Sequence, residues 1–142
     1  MTLPLTRENL HLMDLTKSGY GERYDYRVDL LPRRNQVVAR RDGVVLADTT
    51  RPLLVDEQDH GLVFYFPRED VRLDELRATD SVSYCPFKGR ASYWCPASGG
   101  EDVAWSYEEP YPEVARLAGY IAFYQNRVDV CVGVAARRVP AS

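Results

Sequence analysis

The sequence is poor in the features that mark membrane, disulfide-rich and nucleic-acid-binding proteins. Its 142 residues include three cysteines and two histidines, and no apolar run approaches the ~18 residues of a membrane-spanning helix. The formal net charge is -3, so neither nucleic acid nor a membrane surface is a predicted partner. The N-terminal residues are too polar for a signal peptide, which predicts a cytoplasmic protein.

The cysteines and histidines lack the spacing of a metal site. There is no Cys-x-x-Cys, and His11 and His60 are far from Cys85, Cys95 and Cys131 in the sequence. Cytoplasmic thiols stay reduced, so we expect three free cysteines, no bound zinc and no cofactor. Because Cys95 and Cys131 lie inside alternating runs, we expect both in the core.

A period of two dominates the apolar pattern, which is typical of β-strands. The Asp42-Gly43 pair stands between two β-prone runs and predicts a hairpin. Further strands are predicted at 62–66, 81–85, 92–95, 103–107 and 128–132. A single short helix is predicted at 112–118, where Pro112 takes the first helical position, and 68–76 fits either a helical turn or a loop.

This length and pattern predict one compact domain with short appendages. We assign residues 1–31 to an N-terminal extension containing a strand near 24–30, residues 32–134 to a mainly antiparallel β domain, and residues 135–142 to a C-terminal tail.

The segment Cys85-Pro86-Phe87-Lys88-Gly89 is the first candidate for a reactive loop. If the Lys88 ammonium lies near the Cys85 sulfur, it favours the nucleophilic thiolate. In the alternative interpretation, Cys85 is a small buried hydrophobic residue and Lys88 extends to solvent, which is the commoner behaviour of such residues. The sequence leaves both interpretations open.

Ten tyrosines are many for a small core. Buried tyrosine hydroxyls need partners, so we expect some of these rings to line a cleft with polar groups facing inward. The candidate catalytic residues are Cys85, Lys88 and Tyr93, and Trp94, Trp105 and Tyr107 are candidate ligand-binding residues on the cleft walls.

Arg68 is the remaining candidate for ligand binding. It follows Pro67, whose fixed φ angle sets the direction in which the next side chain leaves the strand. A guanidinium there could hold a carboxylate or phosphate with two hydrogen bonds. The alternative is an ion pair with one of the nearby acids Glu69, Asp70 and Asp74.

Four stretches of the sequence, at 65–71, 85–94, 104–107 and 118–129, resemble the DUF427 family of bacterial and fungal proteins in both order and spacing. The resemblance implies a small, open, tent-like β domain of the kind seen in some zinc-binding folds, here without the zinc ligands. Members are sometimes labelled nucleotidyltransferase-like, but the paired aspartates and glycine-rich phosphate loop of that chemistry are missing.

Two functions are compatible with these residues. The first is a domain that binds a small metabolite or a nucleotide-like ligand in an aromatic-lined cleft beside the 85–89 loop. The alternative is a cofactor-independent enzyme that uses Cys85 and Lys88 with a tyrosine or a carboxylate. We favour binding because no complete set of nucleophile, acid and base can be assembled. The predicted partner is a small molecule, and homo-oligomerisation is left open.

Overall fold

The computed structural model describes residues 3–4 and 17–135, and this part of the chain is built almost entirely from antiparallel strands and turns. The strands are β1 (Leu3–Pro4), β2 (Val28–Pro32), β3 (Asn35–Arg41), β4 (Val44–Thr49), β5 (Leu53–Glu57), β6 (Gly61–Tyr65), β7 (Leu76–Cys85), β8 (Gly89–Pro96), β9 (Ala104–Tyr107), β10 (Ile121–Phe123) and β11 (Asp129–Ala135).

The strands form three sheets. A central sheet has the strand order β1-β7-β8-β9-β10, a first flanking sheet has the order β2-β5-β6, and a second flanking sheet has the order β11-β3-β4. All neighbouring strands are antiparallel, and the sheets do not close into a barrel. The predicted mainly β, open antiparallel architecture is therefore confirmed.

The two flanking sheets cover opposite faces of the central sheet. Tyr93 on β8 packs in a cluster with Leu53 and Val55 of the first flanking sheet. The next residue, Trp94, packs instead against a cluster that contains Val37 and Ala39 of the second flanking sheet. Because successive side chains of a strand point to opposite faces, β8 packs against both flanking sheets at Tyr93 and Trp94.

The hairpin predicted at Asp42-Gly43 joins β3 and β4. Arg41 pairs with Val44, which leaves a two-residue loop. Asp42 and Gly43 have φ angles of 51° and 78°. A two-residue hairpin turn with two positive φ angles matches the right-handed twist of the strands, which explains why Asp-Gly is favoured there.

The predicted short helix is present only as 3₁₀ turns over Pro112–Leu117 and is interrupted at Val114, where φ is -128°. Val114 and Leu117 are both buried, so packing fixes this segment more strongly than helical propensity does. Two more 3₁₀ turns, Arg68–Asp70 and Leu73–Glu75, occupy the segment that the sequence left undecided.

Three sequence expectations need correction or completion. Cys131 is exposed, not in the core, because its neighbour Val130 takes the inward face of the edge strand β11. The pattern did not predict β1, β5 and β10. Strands β1 and β10 are only two and three residues long, and in β5 the apolar Leu54 obscures the alternation of Leu53 and Val55 in the sequence. The strand expected near 24–30 begins at Val28 and pairs with β5. His11 and the C-terminal tail beyond residue 135 lie outside the described residues.

Within the described ranges, no helix has the length and apolar character needed to cross a membrane. All three cysteines are free thiols. In the same part of the chain, no three side chains of histidine, cysteine, aspartate or glutamate are grouped as metal ligands would be.

Candidate functional site

A pocket of about 300 Å³ lies between the first flanking sheet and the central sheet. This volume is at the lower end of the ~300–1,000 Å³ of typical small-molecule sites. Its lining consists mainly of aromatic and aliphatic side chains with a few polar groups: Val55, Glu57, His60, Gly61, Val63, Tyr65, Lys88, Tyr93, Trp105, Tyr107 and Tyr124.

Strand alternation explains why these side chains face each other. Val55 and Glu57 are two residues apart on β5 and therefore point to the same face. On the opposite wall, Tyr93 of β8 lies directly across from Trp105 of β9, and Tyr107 is two residues further along β9. Each wall of the pocket is thus one face of a two-stranded antiparallel pair.

Trp105 organises the aromatic part of the pocket. Its indole Nε1 donates a hydrogen bond of 3.0 Å to the Tyr65 hydroxyl. The Tyr65 ring stands nearly perpendicular to the indole, at 88° and a centroid distance of 6.1 Å, and Tyr124 lies 4.8 Å from the indole at 51°. Edge-on and tilted ring contacts of this kind are favourable and restrict the rotamers of the rings, so the wall has a fixed shape.

Three tyrosines of the pocket, Tyr65, Tyr107 and Tyr124, keep their hydroxyl protons at physiological pH because their pKa values are raised. Burial is the main cause that raises the pKa of Tyr65 and of Tyr107 above the ordinary value. Burial, together with the charge and hydrogen bond of Tyr93, raises the pKa of Tyr124 to about 12. The Tyr93 hydroxyl shares a hydrogen bond with Ser83. Tyr65, Tyr107 and Tyr124 therefore act as hydrogen-bonding groups and not as anions.

A buried ion pair joins Glu57 and Lys88 at the edge of this aromatic wall. The Lys88 Nζ donates to Glu57 Oε1, and the two side chains are only 9% and 4% exposed. The Tyr26 hydroxyl donates to the second carboxylate oxygen at 2.5 Å, and His60 Nε2 lies 3.7 Å from that oxygen. The pair connects the end of β5 to the loop between β7 and β8.

Glu57 is charged in spite of its burial. Burial is the largest influence and raises the pKa of its carboxyl group, but the Lys88 charge and the hydrogen bonds from Lys88 and Tyr26 together outweigh it. The net effect is a pKa below the usual range for glutamate. The carboxylate is therefore ionised, and its charge is balanced by the Lys88 ammonium.

The segment upstream of β2 supports the loop that carries Lys88. The Tyr26 ring stacks on Phe87 at 3.8 Å with an interplanar angle of 12°. The Gly19 backbone N–H donates to the Pro86 carbonyl at 2.6 Å. A Cβ atom at Gly19 would lie 2.8 Å from the Phe87 ring, so glycine is needed for this close approach. The upstream segment thus packs directly behind the buried ion pair.

The structure brings together four of the seven candidate residues. Lys88, Tyr93, Trp105 and Tyr107 line the same pocket. Lys88 does not extend to solvent, as the alternative interpretation of its loop assumed, but is buried against Glu57. Cys85 is 0% exposed and lies in the core cluster behind the pocket lining.

Arg68 and Trp94 lie together at a different place, away from the pocket. The Arg68 guanidinium donates to the Glu108 carboxylate and, at 3.2 Å, to the Gly119 carbonyl, and it lies 5.4 Å from the Trp94 ring. The ion pair considered as the alternative role for Arg68 therefore forms, but its partner is Glu108 and not one of the nearby acids Glu69, Asp70 and Asp74. The bridge between Phe66 and β10 brings Arg68 to this position.

Five polar or aromatic groups of the pocket region were not among the candidate site residues from the sequence: Tyr26, Glu57, His60, Tyr65 and Tyr124. Glu57 offered one usable signal, since it continues the alternation of Leu53 and Val55 on β5 and so falls on the buried face. A charge on such a face needs a buried partner.

Comparison with curated proteins found no match for the chain. A family profile described as "Domain of unknown function (DUF427)" matches residues 29–134, which is more than half of the sequence. The match includes both walls of the pocket and the Glu57–Lys88 pair, whereas Tyr26 lies upstream of it. The chain belongs to the DUF427 family.

Proposed function

We propose that this chain is a binding domain for a small organic molecule, a metabolite or a nucleotide-like compound, which occupies the pocket between the first flanking sheet and the central sheet. The observation that carries the proposal is the buried Glu57–Lys88 pair at the edge of an aromatic-walled cavity. Ligand pockets commonly combine apolar walls with a small number of fixed polar groups.

The ion pair supports a binding role because stability alone does not explain it. Removing two charges from water costs several kcal/mol per ion, and replacing a buried pair with well-packed apolar residues is often neutral or stabilising. At this site the pair also contributes surface to a cavity with room for one or two rings. Its retention is explained if its remaining hydrogen-bonding capacity is used by a ligand.

The pocket geometry favours binding over the enzyme alternative. Covalent chemistry at Cys85 requires the thiol to reach a ligand, and this thiol is fully buried and contributes nothing to the pocket lining. Lys88 is engaged as a donor to Glu57, and the raised pKa of Tyr65 and of Tyr107 keeps these two hydroxyls protonated. A cytoplasmic location belongs to the same proposal and is supported by the three free thiols.

The two tryptophans allow a site-specific test, because Trp105 lines the pocket and Trp94 faces the other side of the central sheet. Trp94→Phe leaves Trp105 as the single tryptophan, and Trp105→Phe is the matched control. A library of small metabolites is screened for compounds that raise the melting temperature. A ligand at one hundred times its Kd stabilises by about 2.7 kcal/mol, which is roughly 6–10 °C for a chain of this size.

Compounds found in this way should change the fluorescence of the protein that retains Trp105 and leave the protein that retains Trp94 unchanged. Stabilising compounds that alter only the emission of Trp94 would refute the proposed location. A library in which no compound binds would refute the proposed function.

A further inference from the structure

The polar groups of the pocket differ in how many of their possible hydrogen bonds are already made. This difference determines which chemical groups of a ligand they can bind. Glu57 is the acceptor of the pocket, and both of its oxygens are already used. One accepts from Lys88 and the other from Tyr26, with His60 near the second. A ligand that offered a hydrogen-bond donor or a positive charge would find this carboxylate occupied.

The donors, in contrast, have capacity left. An ammonium has three N–H groups, and Lys88 uses one of them on Glu57 while its Nζ lies 5.7 Å from the centre of the Tyr107 ring. No second acceptor for Lys88 is found among the residues that the structure describes. Tyr65 accepts from Trp105, so its own hydroxyl proton is free to be donated.

The Tyr107 hydroxyl has no hydrogen-bond partner within the described part of the chain. Every side-chain nitrogen or oxygen that is completely sealed from solvent there does have a partner. The Tyr107 oxygen therefore reaches accessible space, and Tyr107 lines the pocket. Burial keeps the pKa of both Tyr107 and Tyr65 raised, so that these hydroxyls retain their protons.

The charge balance of the pocket selects among ligands that carry acceptors. Glu57 and Lys88 already neutralise each other at short range. A carboxylate or phosphate would add an uncompensated negative charge to a poorly solvated site, and an ammonium would add an uncompensated positive one. An uncharged acceptor such as a carbonyl oxygen adds neither, and it can accept from Lys88 and from a tyrosine hydroxyl together.

We infer that the pocket recognises an uncharged, unsaturated ring compound through a carbonyl oxygen, as in an amide, lactam or imide, with Lys88 and Tyr107 as the donors and Trp105 against the ring. This inference rests on the proposed binding function and adds the chemical class of the ligand to it. Nothing in the family description assigns such a class.

Four probes with the same benzene ring test the inference: benzamide, benzoate, benzylamine and toluene. They are titrated into the Trp94→Phe protein at a single near-neutral pH, where benzoate and benzylamine are both charged, and Trp105 fluorescence is followed. We expect benzamide to bind at least about tenfold more tightly than benzoate or benzylamine. Binding of either charged probe as tightly as benzamide would overturn the inference and leave the proposed function intact.

A null result has a different meaning, because toluene needs only the aromatic walls. If none of the four probes changes Trp105 emission, the proposed binding site itself is refuted, and the inference with it. If toluene binds as tightly as benzamide, the pocket is confirmed as a site but the carbonyl recognition is wrong.

The donor role of Tyr107 is tested separately with Tyr107→Phe, which removes only the hydroxyl. One lost hydrogen bond should weaken benzamide binding by about three- to tenfold and leave toluene binding unchanged. Tyr84→Phe is the matched control, since Tyr84 bonds to Tyr111 in a different cluster. Unchanged benzamide affinity in Tyr107→Phe, or equal weakening of both probes, would contradict the assignment.

Discussion

Replacing Lys88 with methionine should be one of the most destabilising single substitutions in this chain. Lys88→Met keeps a long flexible side chain but leaves the Glu57 carboxylate buried without its countercharge. Both side chains are less than one tenth exposed, so solvent screens the interaction little. Breaking a buried pair by removing one partner costs about 3–5 kcal/mol, a large fraction of the ~5–15 kcal/mol that stabilises a typical domain.

The double substitution Lys88→Met with Glu57→Gln separates the loss of the pair from the loss of packing. It removes both charges, so most of the destabilisation should be recovered and the double variant should lie within about 1–2 kcal/mol of wild type. Arg51→Met is the matched surface control. Arg51 pairs with Glu69 at 3.1 Å, but both side chains are more than 60% exposed, and such pairs contribute only ~0–1 kcal/mol.

The effect of pH on these variants has a defined sign. In wild type the pKa of Glu57 is lower in the folded state than in the unfolded chain. The carboxylate therefore adds stability above the unfolded value of ~4.3, and this contribution is lost as pH falls through the lower folded value. In Lys88→Met the charge and hydrogen bond that contribute most to lowering the pKa of Glu57 are removed while its burial remains, so acidification relieves more of the cost of the buried carboxylate. The stability difference between Lys88→Met and wild type should shrink on going from pH 7 toward pH 4.

Urea denaturation at several pH values measures these differences directly. The reasoning fails if Lys88→Met at pH 7 costs no more than Arg51→Met, or if the double variant is as unstable as the single one. It also fails if the destabilisation by Lys88→Met grows as the pH is lowered.

Two further predictions concern the loop support and the cysteines. Gly19→Ala places a methyl group 2.8 Å from the Phe87 ring and should destabilise the fold by about 1–3 kcal/mol. Gly21→Ala is the control and should change stability little, because no atom lies within 4 Å of its new Cβ. Thermal melts that rank the two variants in the opposite order would contradict the packing argument. In the folded protein a maleimide should modify Cys131 and leave Cys85 unmodified until urea is added. Mass spectrometry of digested samples measures the modification of each cysteine. Modification of Cys85 before urea is added would contradict its assignment to the core.

The sequence predicted the features that are encoded over a few neighbouring residues. The Asp42-Gly43 hairpin depends on backbone preferences within four residues, and the alternation in β8 and β9 was enough to predict that Tyr93 and Trp105 are strand residues. Features that depend on which strands become neighbours were not predictable in this way. Glu57 and Lys88 are 31 residues apart, and only the packing of the first flanking sheet on the central sheet brings them together.

Two other sequence-based expectations were also wrong: the ion-pair partner of Arg68 and the burial of Cys131. The ion pair of Arg68 spans 40 residues, because Phe66, directly after β6, bridges to β10. The nearby acids Glu69 and Asp70 pair with Arg51 instead. Cys131 has the alternating context of a core residue, but its strand lies at a sheet edge. Successive side chains of a strand point to opposite faces, so Cys131 lies on the same face as Asp129 and points away from the core, against which Val130 packs.

The contact between Tyr26 and Glu57 has a consequence for how this unit can be moved between proteins. The family segment begins at residue 29, yet the phenol that donates to Glu57, and the Gly19 backbone that bonds to Pro86, come before it. A chimera that joined residues 29–134 to a foreign N-terminal sequence would keep the pocket walls but would lose the hydrogen bond from Tyr26 to the buried Glu57 carboxylate. A segment to be transferred between proteins must therefore begin before Gly19. Recombination between family members would keep this site intact only if the residues upstream of β2 were transferred together with residues 29–134.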